Sequence, residues 1–532
     1  MSRLVDDVVS LGRSYDNVPY PSHAFRQTHP DRLACIAKLF GMTPRSVERC
    51  RVLELGCASG GNLLPMATLL PESEFVGIDL SQVHIDEANA TLTRVGTKNI
   101  EFRCLDLSCI DSSLGEFDYI ICHGVYSWVP PEVQDRILEI CRHHLTPHGV
   151  AYVSYNTFPG WHMRGMIRDM MRFHSRRFDQ PADRIREARG LLKFLSKTVD
   201  AERDAYGMLL NDSLEMLGRK SDAYLFHDHL EAFNEPLYFH EFIERAGEKK
   251  LQYLGEADLE SMYSGNLPDE VSKVLRGIAP DAMHLEQYMD FVKNRSFRQT
   301  LLCHADVAVD RSLASERLSG MYVASSLRLS REDASGDLNG WATFKHPSRA
   351  LSITPRDALT ENALKILAEV CPSNMALDEL ISRSWEVMPP AERTTGSVQQ
   401  GNAGLAVRLL KAHLGGLIDV STRPSDCVTT ISEFPRASSV ALDQARRGLS
   451  PTSCRQENVR VNDLQRFVLS RLDGSQTRDM LTGSLEQFVR ANGLKIQKNV
   501  TKPDAPPEYQ EDMEEVLDQC LAYLAASSLL LS

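Results

Sequence analysis

The segment Arg51-Val52-Leu53-Glu54-Leu55-Gly56-Cys57-Ala58-Ser59-Gly60-Gly61-Asn62 constrains the fold more than any other part of this chain. An apolar strand runs into a glycine turn, and a helix follows. A second apolar strand, Phe75-Val76-Gly77-Ile78, ends in Asp79. This is a βαβ unit of the kind that binds nucleotides at its turn. Glycines let the backbone pass close to a ligand. An acidic residue ending the second strand suits a ribose diol, because a carboxylate accepts both hydroxyl protons.

The pattern continues. Residues Ile100 to Cys104 read as a third strand leading into Leu105-Asp106-Leu107. A fourth, Phe117 to Cys122, is followed by His123-Gly124-Val125-Tyr126-Ser127-Trp128-Val129-Pro130. From Glu132 to His144 the apolar residues Val133, Ile137, Ile140 and Cys141 follow helical spacing, and Pro147-His148-Gly149 is expected to stop that helix. Val150 to Tyr155 reads as a fifth strand. Strands alternating with helices predict a parallel sheet covered on both faces. Ligands on such sheets sit at the carboxyl ends of the strands, where Gly56, Asp79, Asp106 and His123 fall.

The spacing Glu-x-Gly-x-Ala-x-Gly from Glu54 to Gly60 resembles motif I of the class I S-adenosylmethionine (SAM) methyltransferases. That resemblance implies a Rossmann-like sheet of seven strands and SAM as cofactor. It implies cofactor contacts from Glu54, Gly56, Cys57, Ala58, Gly60, Asn62, Asp79, Leu80, Asp106, Leu107 and His123, with Asp106 on the adenine amino group. One position departs from the family. Ala58 stands where glycine is usual, and alanine resists positive φ. Read as packing alone, the same turn needs no ligand. The two missing strands are expected at Leu251 to Glu256 and Phe297 to His304, after a helix over Phe239 to Ala246. A helical insertion then runs from Trp161 to Phe233, and the catalytic domain closes near Val307.

A chain of 532 residues is too long for one core and predicts two to four domains. Its net charge of -13 opposes an obligate DNA or RNA binder, which carries a basic face. The first residues carry no charged-then-apolar signal pattern. No apolar run approaches the ~18 residues that a membrane span needs. The 12 cysteines are scattered without a Cys-x-x-Cys pair. Reduced thiols in a cytoplasmic protein without structural zinc are the expectation.

Five regions are expected: an N-terminal lid or helical segment (1–45), the SAM-binding core (46–160), the insertion that completes the sheet (161–307), a winged-helix-like module (308–435) and a second helical module (436–532). The turn Gly336 to Gly340 introduces the fourth. There, three helical patterns from Asp357 to Leu414 precede the short strand Leu417-Ile418-Asp419-Val420. Asn462 to Val489 reads as a further helical module. A linker, Lys502 to Glu508, then precedes a last helix from Met513 to Leu524. No basic recognition helix stands out, so these modules are expected to bind protein or pack on their own enzyme. In the insertion, Arg164, Arg168, Arg172, Arg176 and Arg177 form either a solvated helix face or a basic lip.

Segments beyond the glycine turn carry a narrower resemblance. They are Tyr15 to Ser22, Thr28 to Leu33, Cys122 to Pro130, Ser154 to Trp161 and Tyr224 to Glu231. Together they resemble the bacterial methyltransferases with a methyltransferase regulatory domain, and among them the rickettsial protein-lysine methyltransferases of outer-membrane protein B. The resemblance is dense from Tyr15 to about Val307 and thinner beyond. It implies a methyl acceptor outside the motif without fixing it.

Methyl transfer from a sulfonium is an in-line displacement in which positioning accounts for much of the catalysis. A lysine acceptor must lose its charge first, and a low-dielectric aromatic pocket lowers its pKa from ~10.4. Tyr126 and Trp128 are candidate catalytic aromatics, and Tyr155 and Trp161 candidate pocket walls. Tyr15 and Tyr20 are candidates for a lid over the substrate pocket. Each could instead be core packing. His123 could act as a general base or lend only its backbone. The cluster His227, Asp228, His229, Glu231 and His240 is expected to pack rather than hold a metal. Three functions stay open: protein methylation with lysine as acceptor, small-molecule methylation, and a SAM-binding sensor or interaction protein. A surface or outer-membrane protein is one possible acceptor, and the insertion one possible homodimer contact. RNA methylation is weaker, since acidic charge opposes phosphate binding.

Overall fold

The computed structural model describes residues 22–200, 204–330, 341–389, 395–494 and 513–532, with Val18 and Glu202 besides. Tyr15 and Tyr20, the turn at 336–340 and the linker at 502–508 lie outside the described residues.

Seven strands form one sheet: β1 (Arg51–Leu55), β2 (Glu74–Asp79), β3 (Ile100–Cys104), β4 (Phe117–Cys122), β5 (Leu145–Asn156), β6 (Leu251–Glu256) and β7 (Phe297–His304). Their order is β3-β2-β1-β4-β5-β7-β6. The first five are parallel, and β7 runs antiparallel between β5 and β6. Strand alternation sends neighbours to opposite faces, so both faces need cover. Val52 and Ile121 enter one core, Leu53 and Ile120 the other, and all four are fully buried.

One boundary differs from the sequence reading. The helix Pro131–His144 stops before Pro147-His148-Gly149, and those three residues already belong to β5. A residue before proline is pushed toward extended backbone, so the chain leaves the helix early. The β4–β5 register slips between Phe117 and Tyr119 to absorb the extra length.

The insertion is helical, with helices Gly160–Ser175, Pro181–Leu195 and Ala205–Gly218 around a core that includes Ile167, Met171, Leu192 and Leu210. A π-helical turn, Phe226–Leu230, closes it. The basic stretch is neither a uniform solvated face nor a uniform lip. Arg168 is buried, and its Nη2 donates to the carbonyls of Glu231 at 2.5 Å and Phe233 at 3.2 Å.

A fully buried ion network joins this region to the sheet edge. Arg298 on β7 meets Glu256 of β6 at 2.6 Å, and Asp290 and Glu286 of the helix Ala282–Lys293 at 2.8 and 3.1 Å. Its guanidinium lies 3.9 Å from the Phe239 ring centroid.

Beyond the sheet, helices Ala358–Val370, Leu377–Glu386 and Thr395–Leu414 pack with a three-stranded sheet. Its middle strand, Tyr322–Ala324, comes from upstream of the helices. Leu359, Leu364 and Leu380 share a core with Val52 and Leu33. The last module (Ser439–Arg446, Asp463–Leu469, Arg478–Ala491, Met513–Ala526) has its own core around Leu469, Leu485, Leu517 and Leu521. It docks on the catalytic core through Arg94–Asp443 at 2.8 Å and Arg447–Glu87 at 3.1 Å. Among the described residues no helix is long and apolar enough to cross a membrane.

Candidate active site

The strand order reverses between β1 and β4, which opens a crevice at their carboxyl ends. A cavity of about 610 Å³ occupies it. The glycine turn is its floor. The N–H groups of Gly56 and Cys57 both donate to the carbonyl of Ile78, at 2.8 and 3.0 Å. Gly56 has φ +75°, and a Cβ there would lie 2.4 Å from Val125 Cγ2. No side chain fits that position.

Ala58 takes φ +45°, the conformation that alanine was expected to resist. Asp79 explains this. Its Oδ2 accepts the Ala58 N–H at 2.8 Å, and its Oδ1 accepts the Ser81 N–H at 2.9 Å. Left-handed backbone costs alanine about 1–2 kcal/mol. A hydrogen bond to a carboxylate returns about 1.5–3 kcal/mol. The same bonds fix Asp79 at the cavity wall, where a carboxylate suits a diol, with His84 Nδ1 3.6 Å from its Oδ1.

Glu54 also lines the cavity and is almost fully buried. Its Oε1 accepts from Asn62 Nδ2 at 2.7 Å, while its buried Oε2 has no hydrogen-bond partner among the described residues. Burial pushes its carboxyl up to about 8; Asp79 adds to this and the Asn62 bond opposes it. A buried acceptor left open on a cavity wall fits an ammonium group. Leu80, Leu105, Leu107 and Val129 give an apolar wall beside Asp106, whose Oδ1 accepts the Ser108 N–H at 2.8 Å. Diol acceptor, ammonium acceptor and apolar slot together fit SAM. Cys57 lines the same wall, but Gly60 does not. At Gly60 a Cβ would meet the Phe102 ring at 2.5 Å, so this glycine lets the turn pack on β3.

His123 lies on the wall, with its Nδ1 2.8 Å from the Tyr152 hydroxyl and its ring 4.0 Å from that of Phe25. Burial pushes its pKa down to about 4, which leaves a neutral ring and a weak base. Trp128 and Trp161 line the cavity edge to face, 6.2 Å apart. Tyr126 and Tyr155 do not reach it. Both are buried against Phe242, Tyr155 stacked at 4.1 Å and Tyr126 edge-on at 5.2 Å. Strand alternation turns Tyr155 into the core, and its neighbour Asn156 lines the cavity instead.

Arg164 of the basic stretch lines the cavity, and several lining residues escaped the sequence reading: Phe25, Lys220, Tyr224 and Phe297, besides Asn156. Alternation at the end of β5 could have found Asn156. The others arrive by long-range packing and leave no local signal. In the histidine cluster, both His227 nitrogens are engaged, with Glu231 Oε1 at 3.1 Å and the Val18 carbonyl at 2.6 Å. Among the described residues no group of three His, Cys, Asp or Glu could hold a metal ion.

The C-terminal module also reaches the glycine turn. Gln456, buried and at φ +61°, donates through Nε2 to the Asn62 carbonyl at 2.6 Å. Asn62 in turn holds Glu54, accepts the Phe25 N–H at 2.9 Å and meets Thr28 Oγ1 at 2.9 Å. Losing such a buried bond costs about 1–3 kcal/mol. We therefore expect Gln456→Ala to lower folding stability by about 1–3 kcal/mol and, by loosening the turn, to weaken SAM binding about tenfold. Calorimetry checks this, and unchanged affinity would mean that the module does not support the turn.

Family models match three stretches of the chain. A family described as "Methyltransferase domain" matches residues 52–149, "Predicted methyltransferase regulatory domain" matches 221–304, and "PKMT, C-terminal winged helix domain" matches 433–529. The winged-helix match falls on the last module, whereas the helix pattern had suggested one at 308–435. A Rickettsia prowazekii (strain Madrid E) protein described as uncharacterized is 33% identical over 522 residues, 97% of this chain and 93% of the relative. A second from the same organism is 42% identical over 241 residues, 45% of this chain and 96% of the relative. The structure of PKMT2 from Rickettsia typhi in complex with AdoHcy has a TM-score of 0.86 at 32% identity, covering 97% of this chain and all of that one.

Proposed function

Since the chain belongs to the family of Rickettsia PKMT2, SAM-dependent methyltransferases with a regulatory domain and a C-terminal winged helix, we propose that it methylates the side-chain amine of lysine in a protein acceptor. The observation that carries this reading is the likeness to PKMT2 in complex with AdoHcy along nearly the whole of both chains. A shared sheet alone would not separate protein from small-molecule acceptors. Shared accessory modules support a macromolecular acceptor.

The cavity chemistry is consistent with an amine. When bound, SAM supplies a methyl group already activated on a sulfonium. Asp79 and Glu54 would hold its two polar ends. Trp128, Trp161 and Phe297 give the acceptor side an aromatic wall that excludes water. Such surroundings disfavour an ammonium and favour the neutral amine that attacks. Positioning of the two reactants then provides most of the rate.

The same reading takes a surface or outer-membrane protein as acceptor, before its export from a reducing cytoplasm. All 12 cysteines as free thiols suit that compartment. The insertion exposes Phe173, Phe194, Met163, Met166 and Met208, which suits a second copy of the chain seated there. Sedimentation at the monomer mass would exclude that dimer.

The test is transfer of labelled methyl from SAM into a fractionated bacterial lysate, with Asp79→Ala as control. Label in protein that survives nuclease treatment supports the proposal. Label confined to small molecules would overturn it.

A further inference from the structure

We propose that Asp228 is the carboxylate that receives the proton of the acceptor ammonium, a catalytic role that rests on the lysine reading above. Asp228 sits on the π-helical turn Phe226–Leu230, a local geometry frequent at functional sites. Its neighbours Phe226, His227, His229 and Leu230 are all buried, whereas Asp228 is half-buried and lines the cavity with Trp128, Asn156, Trp161 and Tyr224. The turn is pinned from several sides. His227 spends both ring nitrogens on Glu231 and the Val18 carbonyl. Arg168 holds the Glu231 and Phe233 carbonyls, and Arg184 Nη2 donates to the Leu230 carbonyl at 2.9 Å. This clamping orders the backbone and leaves the Asp228 carboxylate to the cavity. It takes no part in any ion pair or hydrogen bond among the described residues. A carboxylate with an oxygen open to the cavity can accept an N–H of a lysine amine that enters it.

The surrounding charges set its basicity. Arg164 and Arg168 come from the helix Gly160–Ser175, Lys220 follows the helix Ala205–Gly218, and His227 precedes Asp228 on its own turn. Burial pushes the Asp228 carboxyl up to about 7, against the pull of these four groups. It is a far better proton acceptor than His123, which burial holds near about 4. In the step proposed, the Asp228 carboxylate accepts one N–H proton. The freed lone pair forms the new N–C bond as the methyl's C–S bond breaks, its electron pair remaining on sulfur. The proton then leaves Asp228 for solvent.

The experiment compares the full-length wild type with Asp228→Asn and Asp228→Glu. The probe is the protein fraction of a heat-treated bacterial lysate, and the readouts are methyl-lysine formed per unit time across pH and SAM affinity by calorimetry. We expect Asp228→Asn to lower the rate about 100-fold, the lower range for a lost general base. SAM affinity should stay within about twofold, as expected of a group acting on the acceptor. The wild-type rate should rise through pH about 7, whereas the Asn variant should keep rising toward the amine's own pKa of about 10. Asp228→Glu should recover part of the rate and the wild-type pH profile, which a merely structural role would not predict. Methyl-lysine formed by Asp228→Asn at the wild-type rate, or a loss explained by SAM affinity, would overturn this inference alone. Wild type that forms methylated protein without methyl-lysine would overturn the lysine reading and this inference with it.

Discussion

Asp79→Ala is expected to abolish measurable SAM binding while the protein stays folded. Asp79 has two tasks. Its oxygens hold the N–H groups of Ala58 and Ser81, and in the function proposed above its carboxylate at the cavity wall also accepts from the ribose diol. Each hydrogen bond to a charged group is worth about 1.5–3 kcal/mol. Two lost diol contacts therefore cost about 3–6 kcal/mol, a factor of about 10² to 10⁴ in affinity. The variant also frees Ala58 from the bond that holds it at φ +45°, so the turn should relax and lose further affinity. Asp79→Asn separates the tasks, since its amide oxygen can accept one backbone bond while its NH₂ cannot accept from a diol. Calorimetry decides. Affinity unchanged in Asp79→Ala would remove Asp79 from the cofactor site.

The largest effect on stability is expected from Arg298→Met. Arg298 is fully buried and neutralises part of the charge on Glu256, Glu286 and Asp290. Arg295 reaches Asp290 at 2.9 Å, but it cannot replace the contacts to Glu256. Breaking a buried pair by removing one partner costs about 3–5 kcal/mol, because the charges left behind are uncompensated. The loss should depend on pH. Burial already pushes Glu286 up to about 7, with Arg298 pulling it down. A carboxyl raised on folding gives stability that is full below its unfolded pKa, about 4.3. That stability is lost as pH rises toward the folded value. Removing Arg298 raises the folded pKa further, so the variant should lose stability in parallel with wild type from pH about 5 to about 7 and fall behind it between about 7 and about 9. Denaturant midpoints measured across that range test it. A pH-independent loss, or one below about 1 kcal/mol, would mean that the network is not held together by charge.

Much of the fold could be read from the sequence for identifiable reasons. Buried parallel strands leave mostly apolar runs, as Val52-Leu53 of β1, Phe75 to Ile78 of β2 and Tyr119 to Cys122 of β4 show. The Gly56 turn is legible because the approach of Val125 excludes any side chain. Even β6 and β7 could be found far downstream by their apolar patterns. The site was less legible. Tyr126 and Tyr155 stand beside cavity residues in sequence and yet face the core, Tyr155 because one step along a strand reverses direction and Tyr126 because its helical turn packs it against Phe242. The backbone of Ala58 is set by Asp79, and no local preference reports that bond. Gln456 reaches Asn62 from the last module, and Asp228 reaches the cavity through a clamped π turn. These are long-range consequences of packing, and short sequence windows do not carry them.

In the function proposed, a protein lysine is the acceptor in an aromatic cavity. The most direct test is to isolate the protein labelled by the wild-type enzyme, hydrolyse it completely and identify the methylated amino acid. Trp128→Ala is run in parallel. We predict methyl-lysine as the labelled species, formed much more slowly by Trp128→Ala at nearly unchanged SAM affinity. Label on another amino acid, or equal loss of rate and SAM affinity in Trp128→Ala, would contradict the account.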